Sequence, residues 1–270
     1  MKITPDTINP IILFRFDRRL RICQNHLKHI QYLNPGVPIH GIYGGTQKDF
    51  HYYEKGLNKY FTSIYFVKNK SAEWKWKNFD LILRDWYVEQ GNLYDFSMAY
   101  VIEWDLLLTD SIKTLYGHIK NNELGLTRLI PLSKVEKMWD WTSKEPYASQ
   151  WLALLSFVKK HFSYNQVPHA SLGPGLCVPK EFLKKYSEID VPDLVHDEIR
   201  IPLFAQILGF TLKDTGFCKA FFSKEEYVFF NCNGSPRWFI TPKTVLQERK
   251  KADGRKVFHP YRTYISQEMI

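Results

Sequence analysis

The triplet Glu103-Trp104-Asp105 places two carboxylates at positions i and i+2, at the end of the apolar stretch MAYVIEW. In an extended segment, side chains at i and i+2 point the same way. At the carboxyl end of a parallel strand, where α/β sheets open a ligand crevice, two such oxygens can hold Mg²⁺ or Mn²⁺, and through the ion a diphosphate. Taken alone, the triplet is better explained as a strand end capped by solvated acids. His259, within VFHPYRTY, is a competent third ligand as a neutral imidazole. Lys256 and Arg262, with Arg255 beside them, can neutralise phosphate oxygens, the arginines through a bidentate fork. The other reading of this region is a basic, partly disordered tail, which accounts well for Lys250-Lys251. A third group, His196-Asp197-Glu198, opens a helical pattern. The helix dipole favours carboxylates there, so capping explains them; a general base acting on an acceptor hydroxyl explains Asp197 or Glu198 as well.

Aromatic residues add a fourth feature. Trp139, Trp141, Tyr147 and Trp151 crowd one segment, and Trp74, Trp76 and Trp86 another. Flat apolar faces with polar rims suit sugar rings and bases, although each such residue singly is more often core. His118 and His161 are read as structural or surface residues. The glycine-rich His169–Pro179 stretch, HASLGPGLCVP, lets backbone approach a ligand closely.

These residues need elements to hold them. Ile11–Phe16 is apolar and β-rich and predicts a strand. Leu20–Leu33 carries apolar residues at helical spacing and stops at Asn34-Pro35-Gly36. Pro38–Tyr43 and Ser63–Val67 predict strands, Phe79–Gln90 a helix, and Met98–Trp104 a buried strand that ends in acid. Strands alternating with helices over about 105 residues predict a mostly parallel α/β sheet. Beyond it, Ser133–Gln150 is read as a polar loop, Trp151–Phe162 as a helix, and His169–Pro179 as a turn and strand. Asp197–Leu208 is read as a helix with Pro202 near its start, and Phe210–Leu212 and Tyr227–Phe230 as strands.

Composition bounds the rest. The chain has 270 residues, 44% hydrophobic and 16% aromatic, a globular composition. Its four cysteines form no CxxC pair, which argues against a zinc ribbon and for a reducing compartment. The longest apolar stretch, Trp151–Val158, is far short of the roughly 20 residues of a membrane span. MKITPDTINP lacks a signal-peptide core. A cytoplasmic protein is therefore expected, with peripheral membrane contact through the basic tail left open. The net charge of +9 points to an anionic partner. Residues 241–270 hold seven Lys/Arg against three Asp/Glu.

In order, ILFRFDRRLRICQNHLKHIQYLNPGVPIHGIYGG, AYVIEWDLLLTD, ASLGPGLCVPKEFL, HDEIRIPLFAQILGF and VFHPYR resemble GT-A-type nucleotide-sugar glycosyltransferases, most strongly in the first 110 residues. The resemblance implies an α/β, GT-A-like (Rossmann-related) fold: a mostly parallel central sheet flanked by helices, in a single domain spanning 1–270. It further implies a nucleotide-sugar-binding half (about 1–110), an acceptor half (about 111–240) and a basic segment (241–270) closing over the donor. By position, Glu103 and Asp105 correspond to the DxD-type pair and His259 to a late metal ligand. Arg15, Phe16 and Asp17 correspond to residues that meet the nucleotide, and Asp80 and Arg84 to the helix lining the donor site. Asp197 or Glu198 corresponds to the base of inverting members. The motif is ExD rather than DxD, and the longer Glu arm can place water between carboxylate and metal.

The resemblance thus implies metal-dependent transfer, with Mn²⁺ or Mg²⁺, of a sugar from a nucleotide sugar to a hydroxyl of a glycan, lipid-linked or protein acceptor; the acidic helix start after the glycine-rich stretch favours inversion, whereas in a retaining mechanism Asp197 and Glu198 only orient the acceptor. Two rivals stand beside it. A single-strand nucleic-acid binder fits the charge and the aromatic residues, but no RNP-like, KH or helix-turn-helix signature is present, so no nucleic acid is expected. A metal-dependent nucleotidyltransferase or hydrolase also uses paired carboxylates, but the first strand ends in Phe16-Asp17-Arg18-Arg19 without glycine.

Overall fold

In the computed structural model, which describes residues 8–232 and 240–269, the chain builds a seven-stranded sheet. Its strands are β1 (Pro10–Phe16), β2 (Ile39–Tyr43), β3 (Ser63–Phe66), β4 (Met98–Glu103), β6 (Glu123–Pro131), β7 (His169–Pro179) and β8 (Thr211–Asp214), in the order β3-β2-β1-β4-β7-β6-β8. The short strands β5 (Leu107–Leu108) and β9 (Val257–Phe258) form a separate antiparallel pair. The pairs β1–β2, β1–β4, β2–β3 and β6–β8 are parallel, while β7 runs antiparallel to β4 and β6. Six of the seven sheet strands therefore share one direction and only β7 is reversed. The fold is mixed α/β with a mostly parallel central sheet flanked by helices.

The alternation along β1 explains the two cores. Ile11 and Leu13 enter one hydrophobic cluster; Ile12, Phe14 and Phe16 enter another. A strand buried on both faces has a continuous apolar run instead of apolar–polar alternation, as the sequence of β1 shows. The second face is covered by α1 (Leu20–Leu33), through Cys23, Leu27 and Ile30. Asn34 ends that helix: its Nδ2 donates to the Ile30 carbonyl (2.9 Å) and its Oδ1 accepts from Ile112 N (2.8 Å). The β2–β3 crossover carries α2 (Gln47–Leu57), whose first turn is capped by the Thr46 hydroxyl accepting from Asp49 N. Next come α3 (Ala72–Lys77) and α4 (Phe79–Glu89), then α5 (Ile112–Leu115). The first face also packs α7 (Tyr147–Phe162), α8 (Lys180–Ser187) and α9 (Asp197–Ile207).

Several expectations change. Ser133–Gln150 is not simply a polar loop. It holds α6 (Asp140–Ser143) and the start of α7, held by Thr142 and Ser143 hydroxyls donating to the Trp139 carbonyl and by Trp139 packed edge-on against Phe221. Residues 227–230 are not a strand. Lys224–Tyr227 is the short helix α10, with Glu225 and Glu226 in its first turn, where the helix dipole favours them; only Phe230 bridges to His259. Pro202 lies in the second turn of α9, not near its start. A proline there cannot donate to the Glu198 carbonyl, which accepts the Ser171 hydroxyl instead (3.2 Å). The basic tail is ordered across its described residues: α11 (Pro242–Arg249) precedes β9, which pairs with β5.

One buried ion pair links α4 to α9. Arg200, fully buried, donates through Nε to Asp80 Oδ2 (2.8 Å) and through Nη2 to Asp80 Oδ1 (2.6 Å) and Asn78 Oδ1 (2.6 Å). Tyr186 of α8 donates its hydroxyl to Asp80 Oδ2 at 2.6 Å. Removing one partner from a buried pair strands the other charge, at a cost of about 3–5 kcal/mol. Asp80→Ala is therefore expected to lose stability on that scale in urea titrations; a loss below about 1 kcal/mol contradicts this role.

Two other buried groups give a pH dependence. Burial pushes His26 and His40 down to about 4 from the ordinary 6.5. Each stays neutral in the fold while the unfolded chain takes up a proton. Their contribution to stability is thus present above pH 6.5 and is lost as pH falls from 6.5 toward 4, on the order of 3 kcal/mol each. Urea titrations at pH 7 and 4.5 are expected to show a smaller acid loss in His40→Gln than in the parent; an unchanged loss contradicts the assignment.

Candidate functional site

A cleft of about 1010 Å³ opens at the carboxyl ends of β1 and β4 and extends to the start of α9. Its floor follows from strand register. The parallel pairing sets Arg15 beside Glu103, and Arg15 Nη1 donates to Glu103 Oε1 at 2.9 Å. Arg15 Nη2 donates to the Lys75 carbonyl (3.0 Å), and its guanidinium lies 4.4 Å from the Phe79 ring centre. The Trp104 amide donates to the Arg15 carbonyl, which carries the chain over to Asp105.

Residues 257–262 return to this floor through the β5–β9 pair. The Tyr261 amide donates to the Asp105 carbonyl (2.7 Å), and Arg262 Nε donates to Asp105 Oδ2 (2.9 Å). His259 is braced by backbone hydrogen bonds with Phe229 and Asn231, and its Nδ1 lies 2.9 Å from the Asn231 carbonyl. That contact puts the proton on Nδ1 and turns Nε2 toward the carboxylates. Nε2 is 3.6 Å from both Glu103 Oε2 and Asp105 Oδ1, too long for a hydrogen bond. Ligand atoms of Glu103, Asp105 and His259 all lie within 4.8 Å of one another. Two carboxylates and an imidazole gathered this closely fit a hard divalent ion such as Mg²⁺ or Mn²⁺.

The electrostatics are uneven. Burial pushes the Glu103 carboxyl up, against the opposing pull of Arg15 and His259. Burial also acts upward on Asp105, but His259 and Arg262 outweigh it and hold this carboxyl at about 2. His259 is drawn down by burial and raised further by Asp105 and Glu103, so its net displacement is upward.

The far wall carries the start of α9. Asp197 Oδ2 accepts the Phe79 amide (3.2 Å), and Oδ1 lies 2.7 Å from His196 Nδ1. Glu198 Oε1 accepts the Gly173 amide (2.8 Å) and Oε2 the Trp141 indole (3.1 Å). Burial raises the Glu198 carboxyl, the largest influence on it. His196 stacks on Trp141 with ring centres 4.3 Å apart and meets Trp76 edge-on at 5.1 Å. Gly175, at φ +83°, gives β7 a left-handed turn that side chains rarely adopt.

Arg15, Phe16, Asp17, Glu103, Asp105, Asp197, Glu198, His259 and Arg262 all line this one cleft. Phe16 is buried, stacked on Phe61 at 5.6 Å, and Asp17 is held by Arg18 (2.7 Å). Three expected residues lie elsewhere. Asp80 is consumed by Arg200 and Tyr186, and Arg84 pairs with Asp85 (3.1 Å). Lys256 is exposed and meets Thr109 through its backbone carbonyl. Of the tryptophans, Trp76, Trp104, Trp139 and Trp141 border the cleft, whereas Trp86 is core and Trp74 bonds Asp193. His118 bonds the Asp214 carbonyl and His161 packs, tilted, against Phe157, both at the surface. Lys75, Phe79 and Asn231 also line the cleft, and no spacing in the sequence marks them.

No protein-family model matches this sequence, and no curated protein is significantly similar to it. Among solved structures, a galactosyltransferase, LgtC, in complex with donor and acceptor sugar analogues, matches 66% of this chain at 16% identity with a TM-score of 0.37. The match takes in 60% of that protein's length. At this level the likeness assigns no activity. Among the described residues, no helix is long and apolar enough to cross a membrane.

Proposed function

We propose that the chain is a metal-dependent glycosyltransferase that moves a sugar from a nucleotide-sugar donor to a hydroxyl of a carbohydrate-bearing acceptor, with inversion. The observation that carries this reading is the Glu103–Asp105–His259 cluster at the end of a parallel strand, facing a cleft wide enough for a nucleotide and a second substrate. Held by Glu103, Asp105 and His259, a divalent ion would supply positive charge to a departing diphosphate. In this reading residues 1–110 form the donor half and 111–240 the acceptor half, and 241–270 close over the donor within one domain. Arg15 holds Glu103 in place, and Arg262, exposed at the rim while bonded to Asp105, is positioned to meet phosphate oxygens. Asp197 and Glu198, on the opposite wall, serve the acceptor. The sequence resemblance to GT-A enzymes supports the same assignment.

A thermal-shift screen of UDP, GDP and CDP and their sugars, with and without Mn²⁺, tests it. A nucleotide at about 100 times its Kd stabilises by roughly 2.7 kcal/mol. The expected result is a Mn²⁺-dependent upward shift with one nucleotide class, lost in Asp105→Asn and in His259→Ala. A shift that persists without metal, or in both variants, contradicts the proposal, as does no shift with any nucleotide.

A further inference from the structure

The strand order fixes which way a donor lies in the cleft. Glu103 ends β4 and Asp105 follows it. The far wall, at the start of α9, is tied to β7: Glu198 Oε1 accepts the Gly173 amide, and the Ser171 hydroxyl donates to the Glu198 carbonyl. In the order β3-β2-β1-β4-β7-β6-β8, β7 lies on one side of β4, and β1, then β2, on the other. A sugar carried on a metal-bound diphosphate faces the wall that holds its acceptor, so it points toward β7. The nucleoside, at the other end of the diphosphate, then points toward β2. Neighbouring strands are about 4.8 Å apart, which puts β2 about 10 Å from β4. At that separation the group beside β2 is the nucleoside and not the phosphates.

A cation stands at the β2 end. Lys75 of α3 lines the cleft and is 8% exposed. Its Nζ donates to the carbonyl of Gly45, two residues beyond β2, at 2.8 Å, and lies 5.6 Å from the ring centre of Phe66 on β3. An ammonium has three N–H donors, and among the described residues this is the one hydrogen bond that Nζ makes. The carboxylate that acts on it, Asp17, is held by Arg18. Burial draws the Lys75 ammonium below its ordinary 10.5. A covered cation with donors unspent is costly, and a ligand oxygen in the cleft offsets that cost. Arg15 ties this residue to the metal floor, because it bonds Glu103 and also donates to the Lys75 carbonyl (3.0 Å). Beside it, Ile42, Val67 and Ala72 line the cleft, apolar walls that suit a planar base.

We infer that Lys75 recognises the nucleoside of the donor, its unspent N–H groups donating to a nucleoside oxygen, a base carbonyl or a ribose hydroxyl. This rests on the glycosyltransferase reading above and adds to it. The metal cluster and Arg262 take the diphosphate, which every nucleoside diphosphate shares. Lys75 supplies a contact that diphosphate alone cannot make. Asp80 and Arg84, the donor-site residues implied by resemblance, do not supply it, since they are spent on Arg200 and Asp85.

Calorimetric titrations in Mn²⁺ test this by comparing UDP, GDP and CDP with inorganic diphosphate, for the parent and for Lys75→Met. For the nucleotide the parent binds most tightly, Lys75→Met is expected to weaken binding roughly 10–100-fold, the loss of a hydrogen bond from a charged donor, and to change inorganic diphosphate by less than about threefold. The 2′,3′-dideoxy form of that nucleotide separates the two oxygen sources. A Lys75→Met loss that persists with it puts the contact on the base, a loss that vanishes puts it on the ribose, and either upholds the assignment. Reductive methylation of the parent, read by mass spectrometry, needs no variant: the nucleotide is expected to shield Lys75, and inorganic diphosphate to leave it reactive. Equal losses for nucleotide and inorganic diphosphate, no loss for either, or equal labelling of Lys75 with and without nucleotide overturns the Lys75 assignment and leaves the transfer reading standing. A parent that binds no nucleotide in Mn²⁺ overturns the transfer reading, and the Lys75 assignment falls with it.

Discussion

The Arg15–Glu103 ion pair sets the geometry on which the site depends. It spans β1 and β4, two central parallel strands whose register places the two residues side by side. Two buried carboxylates two residues apart repel each other, and burial alone would protonate one of them. Arg15 on one side, and Arg262 with His259 on the other, compensate that charge. The result is an acidic pair kept in the fold with a carboxylate oxygen of each facing the same imidazole nitrogen. Without Arg15, the first carboxylate would lose its only cation from the sheet among the described residues.

The same arginine connects the two walls of the cleft. Its guanidinium rests on Phe79, and the Phe79 amide is held by Asp197. Asp80, the next residue, is locked to Arg200 one turn further along α9. The start of α4 is therefore fastened twice to the start of α9. The carboxylates of the floor and the His196–Asp197 pair of the far wall are consequently held at a fixed separation, with the aromatic ring pair Trp76 and Trp141 between solvent and His196. Substrates that need a metal-bound diphosphate at one end and a sugar ring at the other match such a cleft.

Much of this was legible in the sequence where a local signal is strong. The apolar runs of β1, β2 and β4, the helical spacing of α1 and the Asn34-Pro35-Gly36 stop gave the parallel half and put Glu103 and Asp105 at a strand end. Other parts depend on partners remote in sequence. Strand β6 carries no such local signal, because Gly125, a residue with no side chain to pack, and Arg128, at φ 55°, lie where β-bulges interrupt its alternation. The resemblance puts Asp80 at the donor, but a buried arginine 120 residues away takes it; nothing in either local sequence announces that pairing. His259 was recognisable as a ligand type, whereas the brace from Asn231 that aims its ring was not, because residues 227–230 had the composition of a strand. The excess charge of the tail likewise divides: Arg262 reaches the cleft and Lys256 faces away.

The most direct measurement is a crystal structure with Mn²⁺ and a nucleoside diphosphate, read by anomalous scattering at the manganese edge. The account predicts a manganese peak ligated by Glu103, Asp105 and His259, directly or with one water at Glu103, and diphosphate oxygens completing its shell beside Arg262. A peak elsewhere with that cluster empty, or a diphosphate bound outside the cleft, contradicts it.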